Sequence, residues 1–314
     1  MEQHSIDDRF KQLLRSPGGR ILLVILDEHA IEPAQAVVSP MSQHLVSAAL
    51  GHLNPWLSDR EERLPDILQR GANLEDLARR LVSTPGIEAW WSPLQGDGQV
   101  WIQPTAATEF PTPEHFPTPE SAPGPMEQYS QRHYDRFSTS TELAGWTSQL
   151  AEIVSGATDW WIDDYAAQLK RLSVNSAAKI LEIDSAEDWH RFVVRHGVQS
   201  ESGATPDPNG QYGLPWANND GLVPDWHSAA GEWDGIHVKL WAFLTAIQVR
   251  VESESGWTEP WTWGGEETTW LHWAFDSVED MLSIQASPND EKSEHDRRQQ
   301  IEAIPEFTRW DLRN

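Results

Sequence analysis

The segment that most constrains the fold is residues 221–273, because it concentrates tryptophan. It carries eight of the 18 Trp residues in the 314-residue chain, with two Gly-rich turns, a candidate amphipathic helix and candidate strands. A buried Trp contributes a large apolar area and one N–H that needs a hydrogen-bond partner. We therefore expect most of these rings to lie in a core. A few on the Gly-rich turn, Trp257, Trp261 and Trp263, are expected to be exposed.

Composition restricts the partners and the compartment. The formal net charge is −26, so a phosphate backbone would be repelled. We expect no nucleic-acid partner, but a neutral small molecule or a basic protein. No run of about 18 apolar residues is present, so we expect no membrane span and no membrane partner. The absence of Cys and of a signal-peptide pattern predicts a cytoplasmic protein, and nothing in the sequence indicates an oligomeric state.

The pattern of residue types changes at two places along the chain. Residues 1–86 predict a helical N-terminal region, residues 87–287 an α+β Trp-rich domain, and residues 288–314 a charged C-terminal tail. The second region contains a Pro-rich loop at 105–125, in which FPTPE occurs twice. Proline cannot donate to a sheet ladder and breaks helix interiors. This loop is therefore expected at the surface, without regular structure.

Helices are expected in the N-terminal region from their caps and apolar spacing. Ser5 precedes one helix, and further helices are predicted over 39–53 and over 73–86, the latter capped by Asn73. The apolar run 21–26 fits either a buried strand or a helix.

The clearest βα unit is a strand at 179–183 followed by a helix that Asp184 or Ser185 caps. The tripeptide DWH recurs at 188–190 and at 225–227, and both copies predict helix starts with Trp189 and Trp226 turned into the core. Further elements are a hairpin around GDG at 87–104 and strands at 235–238, 246–251 and 268–275.

Glu266 and Glu267 follow a Gly-Gly turn and are the candidate catalytic carboxylates. Neighbouring residues of a strand point to opposite faces, so one carboxylate can enter a cleft while the other stays in water. The alternative is that both are solvated acids in a turn.

Several other chemistries are not indicated. The motifs GxGxxG, GxxxxGK[ST] and GxSxG are absent, which argues against phosphate-loop and hydrolase-elbow sites. Twelve His residues are present, but without HxxxH or HExxH, so no metal site is predicted. His190 and His227 are expected to be partly exposed first-turn residues of helices.

Five sequence blocks together resemble a family of uncharacterised, mainly actinobacterial proteins. Two of them, AKILEIDSAEDW and PDWHSAAGEWDGIHV, also resemble a broader set with an ADP-ribosyltransferase-like fold. The remaining blocks are AWWSP followed by QVWI, STST, and EETTWLHW, so the resemblance covers roughly the last two thirds of the chain.

The resemblance to ADP-ribosyltransferase-like proteins implies two small sheets with helices, and NAD as the substrate. Such proteins carry Arg or His on a first strand, Ser-Thr-Ser on a second and a catalytic Glu or Gln on a late turn. Glu266 or Glu267 matches the last element, while no Arg or His matches the first on the candidate strand 99–103. The expected substrate-pocket residues are Ser138, Thr139, Ser140, Trp101, Trp263 and His237.

Three functions follow from these patterns. The first is an NAD-binding enzyme, either an ADP-ribosyltransferase-like enzyme or an NAD glycohydrolase. A toxin or an effector is one role that such an enzyme would have. The second is a catalytically inactive relative that binds proteins through its acidic surface. The third is a carbohydrate-binding module that uses Trp platforms.

Overall fold

The computed structural model describes residues 5–38, 41–53, 60–104, 110–116, 119, 137–141, 166–199, 221–260, 263 and 265–285. In these ranges an N-terminal group of helices shares a core with a seven-stranded mixed sheet, and the structure also contains two two-stranded sheets. The helices are α1 (Ile6–Arg15), α2 (Pro17–Glu28), α3 (Pro33–Ala36), α4 (Met41–Gly51), α5 (Arg60–Ala72), α6 (Glu75–Val82), α7 (Ala186–His196), α8 (Trp226–Ala230) and α9 (Leu240–Ala246).

The strands lie in the second half of the chain, apart from β1 and β2. They are β1 (Asp97–Pro104), β2 (Phe137–Thr141), β3 (Ala166–Val174), β4 (Ile180–Ile183), β5 (Gly197–Gln199), β6 (Leu222–Pro224), β7 (Gly235–Val238), β8 (Val251–Ser253), β9 (Gly256–Thr258), β10 (Glu267–Trp270) and β11 (Phe275–Gln285). The large sheet has the order β11-β3-β1-β2-β10-β7-β4. Every neighbouring pair in it is antiparallel except β7 and β4, which are parallel.

The N-terminal helices are defined by their caps. Ser5 and Asp8 form a capping box at the start of α1, which confirms the predicted helix. Ser16 caps α2 and Pro17 occupies its first turn, so the apolar run at 21–26 is a helix rather than a strand. Helix α6 begins after Leu74 without a side-chain cap, so the predicted Asn73 cap is wrong.

The βα unit and the strand at 235–238 are confirmed. Ser185 caps α7 by accepting from the backbone of Asp188, and Asp225 caps α8. The two DWH copies therefore differ in position, because Asp188 lies in the first turn of α7 whereas Asp225 is the cap itself.

Four expectations about the sheets are wrong. The main sheet is one seven-stranded sheet rather than two small ones. No hairpin forms at 87–104, because Ile87–Trp91 is a 3-10 helix and β1 pairs with β2 and β3. The strand expected at 246–251 is replaced by a turn at Gln248, whose φ is 59°. The strand expected at 268–275 is interrupted, since β10 ends at Trp270.

The helices and one face of the sheet share a single apolar core. The Trp241 indole in α9 donates to Gln12 of α1 at 2.7 Å, and side chains from α1, α2, α4 and α6 belong to the same buried cluster as Ile236 and Val238 of β7. Trp189 and Trp226 lie in this core at 2% and 4% exposure, as predicted.

The opposite face carries an aromatic cluster around Phe137, Trp270 and Phe275. Phe110 and Phe116, which come from the Pro-rich segment, pack edge-on against Phe137 at 5.6 and 5.5 Å between ring centroids. In the described part of that segment, residues 112–115 are exposed, as expected for a surface loop. Phe110 and Phe116 nevertheless anchor it on the sheet, and Pro113–His115 forms a single 3-10 turn, so the expected lack of regular structure is wrong there. The rest of 105–125, apart from Pro119, lies outside the described residues, as does the charged tail at 288–314.

Replacing Trp189 or Trp226 with Ala is expected to lower the free energy of unfolding by about 3–5 kcal/mol, because each change leaves a large cavity. Urea denaturation of the variants measures this loss. Val194→Ala is the control, because Val194 lies on α7 with Trp189 and is 39% exposed. Its replacement should change stability by about 0.5 kcal/mol or less. Equal effects of Trp189→Ala and Val194→Ala would contradict the packing.

Candidate functional site

Glu266 lies directly before β10 and is buried at 5% exposure. Its Oε2 accepts a hydrogen bond from the Thr141 backbone N–H at 2.9 Å, and its Oε1 accepts one from the Thr141 hydroxyl at 2.7 Å. The ring Nε2 of His237 donates to the same Oε1 at 2.9 Å. The carboxylate is thus held between β2 and β7, the two strands that flank β10 in the sheet.

His237 is fully enclosed between two carboxylates. Its Nδ1 lies 2.7 Å from Glu182 Oε2, and its Nε2 lies 2.9 Å from Glu266 Oε1. Because a carboxylate only accepts hydrogen bonds, both ring nitrogens have to donate, which describes an imidazolium. Burial lowers the pKa of His237, but the hydrogen bonds and charges of Glu182 and Glu266 outweigh burial and raise this pKa to about 9.

Glu182 forms the other end of this row, and its Oε1 accepts from the Leu94 backbone N–H at 2.9 Å. Burial raises the pKa of Glu182, but the hydrogen bond and charge of His237 outweigh burial and bring it below its ordinary value. We refer to Glu182, His237 and Glu266 as the Glu–His–Glu row.

Strand register explains why the row forms. In the antiparallel pair β10 and β7, Thr268 lies opposite His237, and in the parallel pair β4 and β7, Glu182 lies opposite His237. Side chains alternate between faces, so His237, Glu182 and Glu266 share one face of the sheet. Three distant parts of the sequence therefore meet in one row.

Basic residues extend the charge pattern beyond Glu182. The ammonium of Lys239 lies 3.9 Å from Asp184 Oδ1. Arg9 of α1 also binds Asp184 through both of its terminal nitrogens, with Nη1 at 2.9 Å from Oδ1. Positive and negative groups thus alternate from the N-terminal helix to Glu266.

The Ser-Thr-Ser-Thr strand divides its residues between the two faces. Thr139 and Thr141 share the face of the row, where Gln99 accepts from Thr139 at 2.6 Å and donates to Thr141 at 2.9 Å. Ser138 and Ser140 lie on the other face by strand alternation. The Ser140 hydroxyl nevertheless reaches the backbone carbonyl of Glu266 at 2.8 Å.

The two adjacent carboxylates separate as the alternation of a strand requires. Glu266 lies in the row, whereas Glu267 lies on the opposite face, where it lines a small cavity with Trp189, Trp226 and Trp263. Both side chains are buried. The opposite orientation is confirmed, while the expectations that one or both stay in water are wrong, because the surrounding strands and helices cover them.

A cleft opens beside Glu266 and holds about 340 Å³ of space not filled by atoms, including its mouth. Its inner residues are buried and come from both halves of the chain, and its outer residues belong to the segment 89–95. The inner residues are Gln43, Trp90, Thr141, His237, Lys239, Leu240 and Glu266.

Two of the inner residues carry polar atoms without partners. Both amide atoms of Gln43 and the indole nitrogen of Trp90 are buried and make no hydrogen bond within the described structure. Gln43 was not a predicted site residue, because its helix lies more than 200 positions before Glu266 and gives no local signal of a site.

Three other expectations about side chains are wrong. Trp101 packs in the aromatic cluster, 4.7 Å from Phe110 between centroids, and does not line the cleft. Trp263, expected to be exposed, is buried and meets Trp189 edge-on at 5.1 Å. Burial of Trp263 has a simple reason, because a large aromatic ring contributes most to stability when it is buried. His190 is also buried rather than partly exposed, and its Nδ1 lies 3.1 Å from the Thr258 hydroxyl.

Comparison of the chain with protein-family models, with curated proteins and with solved structures finds no match. The resemblances expected from the sequence therefore stay predictions, and the site is interpreted from its own geometry. No helix in the described ranges is long and apolar enough to cross a bilayer. In the same ranges, no group of three or more His, Asp and Glu is arranged to hold a metal ion.

The Glu–His–Glu row predicts a specific dependence of stability on pH. The pKa of His237 rises from 6.5 to about 9 on folding, so its contribution is full below pH 6.5 and is lost as the pH rises through about 9. The loss corresponds to about 3 kcal/mol. At acid pH, stability depends on the lowered pKa of Glu182. The contribution of Glu182 to stability is lost as the pH falls through its folded-state pKa.

Urea denaturation at a series of pH values measures this dependence. His237→Gln should remove the alkaline loss, whereas His29→Gln, at an exposed position, should keep the wild-type profile. An unchanged alkaline limb in His237→Gln would show that the row does not carry the charge assigned to it.

Proposed function

We propose that the cleft beside Glu266 is the active site of an NAD-using enzyme of the ADP-ribosyltransferase type. The observation that carries this proposal is the position of Glu266, whose buried carboxylate lies against the Ser-Thr-Ser-Thr strand and lines the cleft. Two of the three elements implied by the sequence resemblance thereby adjoin each other. Transfer to a basic partner protein, as a toxin or effector would perform, fits the net charge of −26.

The chemistry assigned to Glu266 is electrostatic. Positive charge develops on the ribose as the bond to nicotinamide breaks, and a fixed carboxylate in a water-poor cleft stabilises that charge. Glu266 Oε1 already accepts from His237 and Thr141, but Oε2 accepts only from the Thr141 backbone. A carboxylate oxygen has two lone pairs, so Oε2 has one lone pair for a ribose hydroxyl.

The cleft is smaller than the substrate that the proposal assigns to it. Its interior space, about 20 Å³ with the open mouth left out, is far below the roughly 300–1,000 Å³ typical of small-molecule sites. The proposal therefore requires the rim segment 89–95 to move outward so that the nicotinamide and its ribose can enter, with the rest of NAD on the surface beyond the rim.

A catalytically inactive interaction protein is the second candidate, and one observation favours it. The charge of His237 is fully matched by two carboxylates, and three donors already converge on Glu266. Such a row also suits a purely structural role, with basic proteins as partners of the acidic surface. The carbohydrate-binding alternative is disfavoured, because none of the Trp side chains in the described residues is exposed.

Glu266→Gln is expected to lower NAD cleavage by about 100-fold or more, because the amide removes the negative charge that faces the ribose. Release of nicotinamide, measured by chromatography, gives the rate. The variant should also lose stability, since His237 keeps a charged partner on one side only, so rates are measured at a temperature where it is folded.

Two matched controls separate catalysis from folding. Glu182→Gln changes the same row at a residue that does not line the cleft, and it should keep most of the turnover. Glu267→Gln is the second control, because Glu267 lies on the opposite face of the sheet. Absence of NAD cleavage by the wild-type protein, or equal loss in Glu266→Gln and Glu182→Gln, would favour the interaction protein.

A further inference from the structure

Gln43 is an unusual residue for the interior of a helix bundle. Its side chain is 1% exposed, and neither its amide nitrogen nor its amide oxygen has a hydrogen-bond partner in the described structure. Native proteins leave few such groups unpaired, because burying an amide without a partner costs free energy. Since Gln43 lines the cleft that also contains Glu266, a ligand in the cleft is the natural source of the missing partners.

The unpaired atoms define the chemistry of that ligand. A primary amide presents one donor and one acceptor side by side, and its complement is a second donor–acceptor pair. A carboxylate offers only acceptors and an ammonium group only donors, so each would leave half of Gln43 unpaired. The unpaired Trp90 indole nitrogen is a further donor on the same cleft, and a carbonyl oxygen has a second lone pair to accept it.

We infer that Gln43 is a specificity-determining residue that binds a primary carboxamide in the cleft, with Trp90 donating to the same carbonyl oxygen. This inference rests on the proposed function, where the carboxamide is that of the nicotinamide end of NAD. It predicts that nicotinamide binds and that nicotinic acid, which has a carboxylate in its place, binds poorly. It also assigns to the N-terminal helices a direct part in the site, because Gln43 belongs to α4.

A specificity swap tests the inference. Calorimetric titration of the full chain is carried out with nicotinamide, nicotinic acid and benzamidine as probes. The wild-type protein should prefer nicotinamide by about tenfold or more, the usual effect of leaving a buried polar group unpaired. Gln43→Glu should lose about tenfold in nicotinamide affinity and gain affinity for benzamidine, whose two N–H donors match a carboxylate.

Gln43→Met and a surface variant complete the set. Gln43→Met should weaken nicotinamide binding while its melting temperature stays equal or rises, because replacing an unpaired buried amide with an apolar chain of similar size is not destabilising. A clear fall in melting temperature would indicate that Gln43 is a structural residue instead. Gln69→Met, at an exposed position on α5 outside the cleft lining, should bind nicotinamide like the wild-type protein.

The outcomes for Gln43 and for Glu266 are distinguishable. Nicotinamide binding that is equal in the wild-type protein and Gln43→Met overturns the role of Gln43, even if NAD is cleaved. Binding that depends on Gln43 in a protein that does not cleave NAD supports the role of Gln43 and overturns the proposed enzyme. No nicotinamide binding by the wild-type protein overturns the inference itself.

Discussion

The buried imidazolium of His237 between Glu182 and Glu266 is the interaction on which the rest of the structure depends. Moving such ions out of water costs roughly several kcal/mol each, and this cost is met only where attraction and hydrogen bonds are both well arranged. Here the Thr141 and Leu94 backbone N–H groups complete the row at its two ends. Removing one member of a buried pair typically costs about 3–5 kcal/mol, so the row fixes the relative positions of β2, β4, β7 and β10.

A second buried contact extends this arrangement to the N-terminal helices. Arg9 binds Asp184, the residue that follows β4, and its guanidinium lies 4.9 Å from the ring centroid of Trp91 and 5.6 Å from that of Trp241. Planar stacking and paired donors are what distinguish Arg from Lys at such positions. The helices thereby meet the sheet at the end of the strands where the cleft lies, which explains how Gln43 reaches a site built mainly from strands.

Local patterns were predictable from the sequence, and long-range pairing was not. The βα unit, the burial of Trp189 and the opposite faces of Glu266 and Glu267 depend on neighbours in sequence, so spacing and alternation were sufficient to predict them. The GDG turn was misleading for a physical reason. Gly98 has a φ of 103° at a register shift in β1, so GDG marks a β-bulge in a single strand rather than a hairpin. The strand order, the pairing of β3 with β11 and the position of Gln43 arise only from tertiary contacts, for which a single sequence carries no signal.

The most direct test of this account is the protonation state of His237. Nitrogen NMR of the histidine rings during a pH titration assigns the charge on each imidazole and measures its pKa. The structure predicts that both nitrogens of His237 carry hydrogen at neutral pH and that this state persists until the pH approaches about 9. A His237 ring that is neutral at about pH 7, or that titrates near the ordinary value of about 6.5, would contradict the Glu–His–Glu row and the site built on it.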